Sequence, residues 1–62
     1  MHPLEQEVEM ILSAYQNGVI SQEEKDHLVA EIKDIRAAQE CAEDETTFRI
    51  IVSACNIALS VV

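Results

Sequence analysis

Sixty-two residues allow one small domain, and a chain of that size buries only about 60% of the surface its unfolded form exposes, so a metal, a disulfide or a second chain usually reinforces the core. Twelve Asp and Glu against four Lys and Arg leave a net charge of −8, which excludes direct nucleic-acid binding because the phosphates would repel it. A hydrophobic share of 48% with one Gly and one Pro excludes disorder and suits a compact all-α protein.

Pro3 suits the first turn of a helix, where its missing N–H is not needed, and Glu5, Glu7 and Glu9 suit the positive end of the helix dipole. Leu4, Val8, Ile11 and Tyr15 then recur at helical spacing, with Leu12 widening the stripe. The pattern predicts an amphipathic helix over residues 4–16. Asn17-Gly18 stops it, with Gly18 as the left-handed residue after the helix. Val19 and Ile20 are expected to tuck into the core. Ser21-Gln22-Glu23-Glu24 reads as a capping box, Ser21 at the N-cap and Glu24 reaching back.

The second helix is expected over residues 22–42. Its apolar face is read as Leu28, Ile32, Ile35 and Ala42, supplemented by Val29, Ala38 and Cys41. The short junction before it makes the first two helices an antiparallel hairpin. Continuing that register reaches Gln39, Thr46 and Arg49, so the hydrophobic phase breaks. A tight turn is expected over residues 43–46, with a kinked continuous helix as the alternative. Asp44 can cap the helix that follows and Glu45 suits its first turn.

Residues 48–62 are the most apolar stretch. Their polar members Arg49, Ser53, Asn56 and Ser60 fall at i, i+4, i+7 and i+11, one thin seam along a helix. A helix apolar around most of its circumference requires cover on several sides, which places it in the middle of the assembly. Fifteen residues of helix reach roughly 22 Å against a membrane core of roughly 30 Å, so no membrane span is expected. The polar, acidic start is unlike a signal peptide, and the chain is expected to be soluble and cytoplasmic.

The junction Asn17-Gly18-Val19-Ile20-Ser21-Gln22-Glu23-Glu24 resembles the second half of an EF-hand calcium loop. In that resemblance Gly18 is the sharp-turn glycine, Ile20 the central apolar residue, Ser21 a water-bridging position and Glu24 the bidentate ligand. The first half departs from it: Ser13 and Tyr15 stand where that family has acids or amides, and calcium needs several carboxylate oxygens. Helix stop, hydrophobic link and capping box account for all the matched residues, and neither a metal nor another cofactor is expected. Cys41 and Cys55 form no CxxC and have no histidine beside them in sequence, which fits core thiols better than a zinc site. His2 reads as a tail residue and His27, between Glu23 and Glu31, as a surface one. No nucleophile–base pattern or phosphate loop is present, so no enzyme activity is expected.

The fold expected is therefore an all-α three-helix unit over residues 1–62, an antiparallel hairpin plus an apolar C-terminal helix, assembled as a homo-oligomeric bundle. The oligomer interface is placed on Phe48, Ile51, Val52, Cys55, Asn56, Ala58, Leu59 and Val62, with Asn56 as a residue that can fix register if buried. The leading function is a regulator, adaptor or inhibitor. It would dock an acidic surface carrying Glu5, Glu9, Glu23, Asp26 and Asp34 on a protein partner, a basic or nucleic-acid-binding one included. Two alternatives stand beside it. One is an oligomer that sequesters a small anionic ligand such as a nucleotide through Lys33, Arg36 and Arg49; the other is a structural assembly subunit.

Overall fold

The computed structural model describes residues 2–62. It is all-α: α1 spans Pro3–Gln16, α2 Gln22–Glu31, α3 Ala37–Glu40 and α4 Glu45–Ser60. A π-helical segment, Ile32–Arg36, joins α2 to α3 without a break, so three helical rods result. They pack pairwise around one core made by Leu4 and Val8 of α1, Val29, Ile32, Ala37 and Cys41 of the middle rod, and Ile51, Cys55 and Ala58 of α4. Ile11, Phe48, Ala54 and Leu59 cover its edges.

Local chemistry sets the ends. The N–H of Val19 donates to the Ala14 carbonyl and that of Gly18 to the Tyr15 carbonyl. Gly18 takes φ 77°, so the closure of α1 is a Schellman turn built on the one residue without a Cβ penalty. The capping box is complete: the Glu24 N–H donates to Ser21 Oγ at 3.1 Å, and Glu24 Oε1 accepts from the Ser21 N–H at 3.3 Å. Asp44 caps α4 by accepting from the Thr47 N–H at 3.0 Å. Consecutive rods run antiparallel, since Glu7 near the start of α1 meets Arg36, and Lys25 near the start of α2 meets the end of α4, which leaves α1 and α4 parallel to each other.

Three expectations are corrected. Val19 is 74% exposed: its backbone closes the Schellman turn and its side chain is left outside the hairpin tip, while Ile20 is half-buried. The face of the middle rod is not Leu28, Ile32, Ile35 and Ala42. Leu28 and Ile35 are exposed large apolar residues, and Ala38 and Ala42 face outward. The buried positions are Lys25, Val29, Ile32, Ala37 and Cys41, at steps of four, three, five and four. The step of five is the π segment itself, in which the Ala37 N–H donates to the Ile32 carbonyl. One extra residue per turn advances the register, bringing Ala37 and Cys41 under the core where an unbroken α-helix would have brought Arg36 and Glu40. Finally, α4 is not in the middle. It is one side of a triangle: Ile51, Cys55 and Ala58 are buried, whereas Ile50 and Ile57 remain exposed.

Candidate interaction surfaces

The most constrained polar group is Lys25, which no sequence expectation singled out. Its side chain is 0% exposed. Its ammonium donates to the Ala58 carbonyl at 2.8 Å and to the Val61 carbonyl, lies 3.0 Å from Asp26 Oδ1, and sits 4.9 Å from the centroid of the Tyr15 ring. Carbonyls at a helix C-terminus have no partner within the helix and carry the negative end of its dipole. Lys25 therefore caps α4 from another rod, and the carboxylate and the ring face offset its desolvation. A signal was present: Lys25, Val29 and Ile32 lie at i, i+4 and i+7, a cation on the buried stripe.

His2 is likewise no tail residue. Its Nδ1 accepts from the Leu4 N–H at 3.1 Å and caps α1. That assigns the ring proton to Nε2, which points at Cys41 Sγ 3.7 Å away. Only the fold brings these two together, across 39 positions of sequence. The pair is not an activated nucleophile. Burial pushes the Cys41 thiol pKa up, and Asp44 and Glu40 push it further; burial likewise raises that of Cys55. Both cysteines are free and buried, and both stay protonated at neutral pH. Beside Cys41 runs an open groove of about 570 Å³ lined by Ala38, Cys41, Ala42, Glu45 and Phe48. It contains no converging acid, base and donor set of the kind chemistry requires. His27 is exposed, on a smaller depression of about 240 Å³ with Ala30, Glu31, Asp34 and Ile35.

The three cations named for anion binding fall on different parts of the surface's ion-pair pattern. Arg36 grips Glu7 with two bonds, Nη1–Oε1 at 2.8 Å and Nη2–Oε2 at 2.7 Å, and approaches Glu40 at 3.4 Å. The bond to Glu7 is the main reason its pKa rises above the ordinary value. Arg49 pairs with Glu45 at 2.7 Å on the exposed face of α4. Lys33 forms no ion pair among the described residues.

Of the acids, Glu9, Glu23 and Asp34 are exposed and Glu5 is half-exposed. Asp26 is turned inward to Lys25. Glu24 serves the capping box. The side chain of Asp44 accepts from the Thr47 hydroxyl at 2.6 Å, which with the backbone bonds holds its pKa below the ordinary carboxylate value. The junction that resembles a calcium loop thus spends its hydroxyl and carboxylate on helix capping. No three His, Cys, Asp or Glu among the described residues converge on a metal position.

Of the residues placed at an oligomer interface, Ile51, Cys55 and Ala58 are buried in the chain's own core, Phe48, Val52 and Leu59 are half-buried, and Asn56 and Val62 are exposed. The seam Arg49, Ser53, Asn56 and Ser60 lies wholly on the exposed side of α4. No helix among the described residues is long and apolar enough to cross a membrane.

The chain matches no protein-family model, and no curated protein or solved structure resembles it significantly. Its class is set by its own geometry: an all-α bundle of three rods with a π-helical middle, a buried lysine and an acidic exterior.

Proposed function

We propose that this chain is a non-enzymatic, cytoplasmic interaction protein, a regulator, adaptor or inhibitor that docks its acidic helical surface on a basic protein partner, a nucleic-acid-binding one included. The observation that carries this reading is how the four cations are used. Lys25 is interior, Arg36 is held by Glu7 and Glu40, and Arg49 is held by Glu45. Lys33 alone is left to offset Glu9, Glu23, Asp34 and the other acids outside. The outward field is therefore strongly one-signed, the condition under which charge steers association and selects partners. The same ion pairs weigh against sequestration of a small anion, since a ligand would have to displace a bidentate carboxylate from Arg36.

The test is partner capture on the immobilised full chain, followed by titration of the recovered protein against the free chain. Affinity is expected to fall steeply between about 50 and 500 mM salt, as screening shortens the reach of exposed charges. It should fall at least as much in the charge-reversed chain Glu9→Lys, Glu23→Lys, Asp34→Lys. Binding indifferent to both salt and reversal would overturn the reading.

A further inference from the structure

The outer edge of α4 carries an observation that the acidic-surface reading leaves unused. All 12 acids lie at or before Glu45, and Arg49 is the one charged residue after it. Glu45 and Arg49 neutralise each other at 2.7 Å. Two copies of this chain, each of net charge −8, repel wherever their acid-bearing rods face one another. Along the outer edge of α4 that repulsion is least, because no acid follows Glu45.

That edge is also apolar and self-matching. Ile50 is 48% exposed and Ile57 61% exposed. They are seven residues apart, two turns of one helix edge, about 10 Å along the axis. Midway between them stand Ser53 and Ala54, both small. A twofold axis through that midpoint, perpendicular to α4, lays Ile50 of one copy over Ile57 of the other and crosses the helices at their narrowest point. An isologous contact requires this equivalence of a surface with itself, and small residues at a crossing let two helices approach closely. The geometry points to a homodimer formed by antiparallel pairing of α4 through Ile50, Ser53, Ala54 and Ile57. These differ from the residues expected of the interface from sequence, because the core has already claimed Ile51, Cys55 and Ala58. The inference is independent of docking on a basic partner, and the two respond oppositely to salt.

Sedimentation equilibrium of the full chain at micromolar concentration tests it, at low and at high salt. The expected result is a reversible monomer–dimer equilibrium that tightens at high salt, because screening removes repulsion between the two acidic bodies. Ile57→Glu, at an exposed site, is expected to keep the helical circular dichroism and to weaken dimerisation by about tenfold or more. Ser53→Cys, with its sulfur near the twofold, is expected to form a covalent dimer under mild oxidation. Ser60→Cys, about 10 Å along the helix from the axis, is expected to remain unlinked. A monomer at both salts, a dimer untouched by Ile57→Glu, or cross-linking at Ser60 as fast as at Ser53 would each overturn the inference. None of these outcomes bears on capture of a basic partner, which Glu9, Glu23 and Asp34 test separately.

Discussion

Lys25 concentrates the energetics of the molecule in one side chain. A buried ammonium is tolerable only while its partners stay in place, and removing one member of such a group strands the rest. Replacing Lys25 by Ala leaves the Asp26 carboxylate, one oxygen of which is buried, without its counter-charge. It also leaves the last carbonyls of α4 without their cap and a cavity where the four-carbon stem packed. The expected loss is about 3 kcal/mol. A domain of this length has a total stability of roughly 3–9 kcal/mol at the usual stability per residue, so Lys25→Ala is expected to sit at the edge of unfolding. Lys25→Met keeps the apolar stem and should fall between it and the parent. Urea unfolding followed by circular dichroism gives all three values. If Ala and Met were equal to the parent, the buried contacts of the ammonium would contribute nothing to stability.

At the scale of the element, the π segment is the decisive feature. Without it the buried stripe of the middle rod cannot pass from Ile32 to Ala37. The segment behaves as one inserted residue, so removing one residue inside it should restore a plain α-helix with the same stripe. Deleting the exposed Asp34 brings Ala37 and Cys41 into ordinary α spacing behind Lys25, Val29 and Ile32, and the variant is expected to remain folded within about 1 kcal/mol of the parent. Deleting Glu31, three positions earlier, also removes the extra residue. It then swings Ile32 out of the core and carries Lys33 in, exchanging a buried aliphatic for an unpaired ammonium, at an expected loss of about 3 kcal/mol or more. Thermal unfolding of the two deletions decides the point: equal Tm values would mean that the π turn does not set the register.

These two features also mark what the sequence could and could not convey. The α1 stripe, the Gly18 stop, the capping box at Ser21 and the Asp44 cap are all local, with every participant within a few residues of the others, and they are legible. Leu28, Ile32 and Ile35 made a good α-helical stripe as well, which is why the wrong face was read. A step of five belongs to neither helix nor strand period. Lys25 and His2 were missed for a different reason: their partners lie 33 and 39 positions away, beyond what spacing along the chain can reveal. The candidate acidic surface was legible from charge count, but the inward turn of Asp26 and the pairing of Arg36 with Glu7 required the fold.

For the molecule as a whole, a fixed excess of negative charge on a small body opposes its own compaction. The radius of gyration is 11.1 Å, close to the Debye length of about 10 Å at 0.1 M salt, so at low salt most of the surface acids feel one another. Raising the salt is therefore expected to raise Tm at a concentration low enough to keep the chain monomeric. The slope should shrink in the charge-reversed chain Glu9→Lys, Glu23→Lys, Asp34→Lys. A Tm that fell with added salt would show that attractive pairs such as Arg36–Glu7 outweigh the collective repulsion.

The reach of Lys25 along the chain has a consequence for the order of assembly. Its ammonium bridges to carbonyls 33 and 36 positions further on, and ordering a loop of that length carries a closure entropy that only a preformed scaffold can offset. The hairpin of α1 and α2 is joined by a few residues and has its own turn and capping box, so its short-range contacts favour forming first. On that order the apolar α4 is expected to dock last, and until its last turn meets the lysine its core residues Ile51, Cys55 and Ala58 are open to any hydrophobic neighbour. The latch that completes the monomer thus also ends the interval in which the chain can associate wrongly, so slowing that one step exposes the molecule to aggregation even where the finished fold is sound.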